Sequence, residues 1–417
     1  MVICISANNT PALNGRIPSH LARMRVFTCT PVRFPGDEAF FARDSGLMSV
    51  GLGQIGIESR PIMPGPAMPG DDPRVIRADP GDLENAEWWK TLAIDGLVFY
   101  SWAAPRYNEI ARAIREAGIP FLVNMDTCGL ISPLASPGDW WRETPLRILH
   151  EGCDPFRKLL NACKALIEWM THPVAKRRLA HYEAATVIAA VTPHGAQWIP
   201  NEARRLGRSD LAEKFIYLPH PQLQEFTYDG TPKEKLVITV GRWRREDWGQ
   251  KNPRLLLETY RQFLSAMPGW RAQVIGSGAP DLPRELGIDV SDLAGRLELI
   301  EHVPADHLPD YYRRASIGLW TSRWEGQQGT AAQALCCGCS VVSVYSALNS
   351  CFRHYISRES GRLASRNQAD SLATELILEA ESWQQGQRDP EHISRVWNRE
   401  FHAPEVARKA IASLGLS

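Results

Sequence analysis

The stretch Lys235-Leu236-Val237-Ile238-Thr239-Val240-Gly241-Arg242 decides the fold. A short apolar, β-branched run stopped by glycine reads as a strand buried on both faces, the kind that parallel sheets contain. Residues 253–267 then carry apolar positions at helical spacing, and residues 271–275 read as a second strand. Strand, helix and strand in that order make the crossover unit of a parallel sheet. The alternation continues with strands at 297–300, 317–321 and 340–345 and helices at 308–314 and 330–337. The pattern is that of a doubly wound α/β domain.

Upstream the same grammar appears with more interruptions. Strands are expected at 25–30, 57–62, 97–100, 121–124 and 187–191, with helices near 40–52 and at 106–117. Residues 31–36 and the Pro/Gly stretch 61–70, with Pro73, read as loops, and Gly51 and Gly53 as the end of a helix. The segment 218–221, with Pro219 and Pro221, reads as the link between two domains, 1–217 and 218–392. A C-terminal helix at about 393–417 is expected to pack back on the first domain, and the first ~20 residues read as an extension adding little to the core.

Composition narrows the function classes. The 417 residues suggest two or three domains at ~150 residues each. Lys plus Arg and Asp plus Glu both number 47, so no global field draws the chain to nucleic acid or anionic lipid. With 44% hydrophobic and 23% charged residues it is an ordinary globular protein. The nine cysteines are scattered, and the start MVICISANNT has no secretory pattern, so reduced thiols in the cytoplasm are expected. The uncharged stretch 326–352 holds too many Gln, Asn, Ser and Gly to span a membrane and reads as core beside a site.

Three features carry chemistry. Beyond Val240 come Arg242, Arg244, Arg245 and Lys251, a cation cluster at a strand's carboxyl end, where open sheets bind ligands. Arg and Lys there suit a diphosphate. A solvated loop paired with Glu246 and Asp247 is the plainer reading. The strand ending at Thr321 leads into Ser322-Arg323-Trp324-Glu325-Gly326-Gln327-Gln328-Gly329 and a helix from about Thr330, whose first amides suit an anion. Glu325 is placed to accept hydroxyl hydrogen bonds from a sugar, or else to sit as a helix-start carboxylate; Gln333 lies about two turns along the inward face, as a ligand contact or else as a polar residue at the edge of the core. His194, in Thr192-Pro193-His194, is the third feature, a cleft candidate at another strand end, with a satisfied surface histidine as the plainer reading.

Other signals are weaker. Gly276-Ser277-Gly278 lacks the third glycine of a dinucleotide loop and reads as a turn, and Cys336, Cys337 and Cys339 read as buried thiols, with no metal expected. No Asp-x-Asp pair, Walker loop or Gly-x-Ser-x-Gly elbow occurs.

Together these pieces resemble the retaining GT-B glycosyltransferases of the group 1, family 4 class. The likeness runs through Leu218-Pro219-His220-Pro221, Val240-Gly241-Arg242, Lys251-Asn252-Pro253, Val274-Ile275-Gly276-Ser277-Gly278, His302-Val303-Pro304 and the run from Thr321 to Val342. It implies two Rossmann-like domains facing a cleft and transfer of a sugar from a nucleotide-diphosphate sugar to a hydroxyl, with retention and without metal or other cofactor. It implies that Arg242 and Lys251 bind the donor diphosphate, with Glu325 on the sugar and Gln333 on the ribose. Gly326, Gln327, Gln328, Gly329 and Thr330 would complete the donor site.

Three departures stand out. Arg242 and Lys251 are nine apart, wider than usual in the family, which leaves Arg244 and Arg245 as competitors. Gln333 replaces the second glutamate, and Asp126 stands where relatives often carry a histidine.

The expected partners are a nucleotide sugar and a glycan or lipid-linked acceptor, with no nucleic acid. The Trp-, Lys- and Arg-rich segment 139–178 reads as a helical pair covering the first sheet. Peripheral contact with anionic lipid at the inner face of the membrane is its alternative reading. Competing functions are a non-catalytic nucleotide-sugar-binding protein and an epimerase or phosphorylase on the same fold.

Overall fold

The computed structural model describes residues 24–127, 132–151 and 154–416; the expected N-terminal extension lies outside them. Seven strands, β1 (Val26–Cys29), β2 (Pro61–Pro64), β3 (Ile76–Ala78), β4 (Gly96–Phe99), β5 (Phe121–Met125), β6 (Val187–Ala190) and β7 (Phe215–Tyr217), form one sheet in the order β3-β2-β1-β4-β5-β6-β7. Six more, β8 (Glu234–Val240), β9 (Arg271–Ile275), β10 (Leu297–Ile300), β11 (Ala315–Trp320), β12 (Ser340–Val344) and β13 (Gly361–Ala364), form a second in the order β10-β9-β8-β11-β12-β13. Every pairing is parallel. Strand order reverses beside β1 and again beside β8, the two switch points where crevices open at strand ends. All residues of β4 and β11 are buried, as strands covered by helices on both faces must be.

Several expectations need correction. The strand expected at 57–62 is centred later, at Pro61–Pro64, inside a stretch that read as loop. Its prolines stand at the first and last positions, where the lost N–H disrupts least. The helix expected over 40–52 is two, Glu38–Phe41 and Asp44–Gln54, with Asp44 in the left-handed region at φ 46°. Gly51 and Gly53 lie within the second rather than beyond its end. A Cβ on Gly51 would come within 2.4 Å of the Ala403 carbonyl oxygen, so glycine there lets a second helix approach.

That second helix is Ala403–Ser413. It lays Val406, Ala407, Ala410 and Ile411 against Met48 and Leu52 and against Val26 and Val98 of the first sheet. The preceding helix, Pro390–Phe401, belongs to the other domain, where Ser394 Oγ donates to the Cys336 carbonyl at 2.6 Å. The chain thus crosses between domains twice. The two crossings are tied together, Gln222 N–H to Phe401 O at 2.7 Å and Ala403 N–H to Gln222 O at 3.0 Å.

The helical pair expected to cover the first sheet does not do so. Helix Pro137–His150 buries only Trp140, and helix Pro155–Thr171 buries none of its residues. Among the described residues no helix is long and apolar enough to cross a membrane.

Candidate functional site

Two loops at the carboxyl ends of β8 and β11 are zipped together. Thr321 Oγ1 donates to the Lys251 carbonyl at 2.8 Å, Arg323 N–H to Gln250 O at 2.7 Å, and Gln250 Nε2 to Trp324 O at 3.0 Å. The Arg323 guanidinium is committed inward, to Gly249 O at 2.9 Å and Asn252 Oδ1 at 2.7 Å. This lacing brings Lys251 Nζ to 2.5 Å from Glu325 Oε1, with both side chains less than a tenth exposed. Gln250 Nε2 donates to the other carboxylate oxygen at 3.2 Å. Glu325 is therefore a paired carboxylate under the loop, not a helix-start carboxylate: the residue at the start of helix Gly329–Cys336 is Gln328.

The rest of the cation cluster is dispersed. Arg242 is 69% exposed and pairs with Asp247 at 3.2 Å, as the solvated-loop reading had it. Arg244 Nε reaches Ser277 Oγ at 3.2 Å, and Arg245 Nε reaches Glu285 at 2.9 Å. The loop is anchored by Trp243, buried beneath it with its indole N–H on Ile275 O at 3.1 Å. Gly276, at φ 131°, lets this turn close: a Cβ there would come within 1.8 Å of Gly241 O. The Gly276-Ser277-Gly278 stretch is thus a turn that braces the loop.

The residues after Glu325 divide by task. Gly326 faces Asp126 at the end of β5; a Cβ on it would come within 1.9 Å of Asp126 Oδ1. Gln327 spends both ends of its amide on the interdomain link, accepting from His220 N–H at 2.6 Å and donating to His220 O at 3.0 Å. Gln328 is buried, and Gly329 is already the first helical residue. Thr330 Oγ1 lies between Val240 O, at 3.2 Å, and the Trp320 indole N–H, at 3.0 Å. Gln333 has its Oε1 buried without a hydrogen bond among the described residues.

From the first domain, Asp126 reaches across to His220 Nε2 at 3.1 Å, and Asp44 Oδ1 lies 3.8 Å from His220 Nδ1. Burial alone would lower the His220 imidazole; the two carboxylates outweigh it and raise it above its ordinary value. His194 lies apart, beside Trp198, and burial, then Arg353 and His354, lower it. Its neighbour Thr192 makes the cross-domain contact, Oγ1 to Ser350 Oγ at 3.1 Å. A narrow cavity of about 40 Å³, lined by Met125, Thr192, Gly195, Glu325, Gly326 and Ser350 among others, separates the domains here. It is room for a few waters.

Glu325, Lys251, Gly326 and Asp126 are therefore gathered at one cleft, while Arg242 and His194 are not part of that group. Sequence reasoning did not single out His220 or Gln250 as site residues. The one available signal was a histidine between two prolines at the domain junction. Among the described residues no three His, Cys, Asp or Glu side chains converge as a metal site would require.

Residues 234–378 match the family model described as Glycosyl transferases group 1. The second domain is a group 1 glycosyltransferase domain. The loops of Lys251 and Glu325 both fall within it. No curated protein matches the chain. Solved structures similar over nearly the whole length include Anabaena HepE in complex with UDP, at 14% identity and TM-score 0.59, covering 94% of this chain and 100% of that one. The lipopolysaccharide outer core galactosyltransferase WaaB, in its apo form, matches at 14% identity and TM-score 0.58, covering 94% and 99%. Sucrose-phosphate synthase of Thermosynechococcus elongatus matches at 15% and 0.51, covering 94% and 96%. At such identities the likeness is one of fold, and that fold is GT-B.

Proposed function

We propose that the protein transfers a sugar from a nucleoside-diphosphate sugar to a hydroxyl acceptor, with retention and without metal. The observation that carries this reading is the buried Lys251–Glu325 pair at the mouth of β8 and β11, beside Gly326, which faces Asp126 of the other domain. A diphosphate entering there offers Lys251 a stronger anionic partner and frees Glu325 to accept hydroxyl hydrogen bonds from the donor sugar. The amides opening helix Gly329–Cys336 add positive potential on the same side. Gln333 Oε1 takes a ribose hydroxyl, as an uncharged acceptor. As the bond to the sugar breaks, charge grows on the departing diphosphate, and Lys251 stabilises it. The acceptor comes from the first domain, past Asp126.

The cavity at Glu325 and Gly326, about 40 Å³, is smaller than a nucleotide sugar, so donor binding there includes a step that widens it. That UDP is bound by HepE makes UDP the first donor base to try. A thermal-shift screen of UDP, GDP, ADP and their sugars tests donor binding, because a ligand that binds only the folded chain raises its melting temperature. Transfer that survives EDTA and yields the donor's own anomeric configuration supports the rest. If no nucleotide shifts the melting curve, the proposal fails. A nucleotide shift with no nucleoside diphosphate released, whatever acceptor is supplied, would favour a binding protein, a reading that the uncharged Gln333 keeps in view.

A further inference from the structure

The helix Pro155–Thr171 presents Phe156, Leu159, Leu160, Leu166, Ile167 and Met170 to solvent, with Phe156 75% and Leu159 63% exposed. Leu159, Leu160, Ile167 and Met170 lie three, four, eleven and fourteen residues beyond Phe156, so these five form one stripe along the helix. Trp141 and Leu149 of helix Pro137–His150 extend the apolar face, and Trp140, Trp141 and Trp169 lock the two helices together with ring centroids 4.9–5.2 Å apart. A folded chain gains nothing by exposing such a face; patches of this kind mark an interaction surface.

The charge around it names the occupant. Residues 155–178 hold six Lys or Arg and a single Glu in a chain whose net charge is zero. That Glu168 is turned inward, accepting from the N–H groups of Val174 and Ala175 at 2.9 and 3.2 Å to start the next helix. Arg178 is spent on Glu202. Arg157, Lys164, Lys176 and Arg177 stay exposed beside the apolar stripe. A second copy of the chain would bring the same cations against one another, whereas an anionic bilayer offers both an apolar interior and a negative surface.

The face also leads to the site. A groove of about 720 Å³ runs from Asp126 and Arg178, past Trp102, to Trp140, Ile148 and Lys164 on the inner side of the same helices. We propose that the stripe seats on an anionic membrane surface and that the groove takes the head of a lipid-linked acceptor from it. This rests on the transferase reading and adds the acceptor class.

The test is flotation of the full chain with phosphatidylglycerol-containing vesicles and with pure phosphatidylcholine vesicles, at low and high salt, beside a UDP thermal shift of the same samples. The chain should float with the anionic vesicles, less at high salt. Leu159→Glu with Ile167→Glu, both exposed and outside the site, should cut the bound fraction about tenfold or more while leaving any UDP shift unchanged. Absence of binding to anionic vesicles at low salt overturns the proposal, as does sedimentation showing a dimer that the same double substitution dissolves. Failure of the UDP shift alone strikes the transferase reading and not the membrane one.

Discussion

Lys251 and Glu325 neutralise each other 2.5 Å apart in a part of the cleft that solvent barely reaches. Removing one partner leaves a buried charge alone, at a cost of about 3–5 kcal/mol. Lys251→Met and Glu325→Leu should each lower the urea midpoint strongly, and the double variant should be clearly more stable than the sum of the two losses implies. Additive losses would mean that the pair does not couple. All three variants should lose transfer by orders of magnitude, since the proposed chemistry needs both groups.

His220 gives the domain junction a pH dependence of predictable sign. Its folded value is raised above the ordinary 6.5, because Asp126 and Asp44 together outweigh burial. The stabilisation is therefore complete below that ordinary value and is lost as pH rises through the raised one. Unfolding free energy measured from about pH 6 to about pH 8 should decline through this window, and His220→Gln should flatten the decline. Asp126→Asn should flatten it too.

His181 acts in the opposite direction. It is held between Ser101 Oγ, 2.7 Å from Nε2, and Asn108 Oδ1, 3.0 Å from Nδ1. Burial, and then Arg178, lower it to about 4. Its neutral form favours the fold, so that contribution is present above 6.5 and fades as pH falls toward 4. His181→Gln should remove part of the acid destabilisation seen in that range by far-ultraviolet circular dichroism, at some cost in neutral-pH stability.

Two glycines in one helix should respond with opposite signs. Gly51→Ala collides with Ala403 O and should cost about 1–3 kcal/mol. Gly53→Ala meets nothing within 4 Å and should gain up to about 1 kcal/mol from helix propensity. Melting temperatures of the two variants decide it; a loss at both positions would remove the distinction.

How far the sequence could be read depended on what each residue type reveals. β4, β5, β8 and β12 hold apolar cores bounded by breakers, and pattern alone located them. β3 and β7 are three residues each, too short to show a period, and β2 is disguised by its prolines. At the site, Glu325 and Lys251 were identifiable by type and position, but their pairing depends on backbone lacing between loops 74 residues apart, which has no local signature. The exposure of helix Pro155–Thr171 was equally hidden: its apolar spacing is that of a core-facing helix, and only the tertiary structure shows that the stripe faces outward.

The helix Ala403–Ser413 also sets an order of events during synthesis. The strands of the first sheet leave the ribosome early, yet the apolar cover of Val26, Met48, Leu52 and Val98 is completed only once Val406 and Ile411 have emerged. The second domain, strands and helices alike, is made in between. A nascent chain therefore carries an uncovered hydrophobic face while its other half is being built, a period in which chaperones have a surface to hold. The domain begun first is the one finished last.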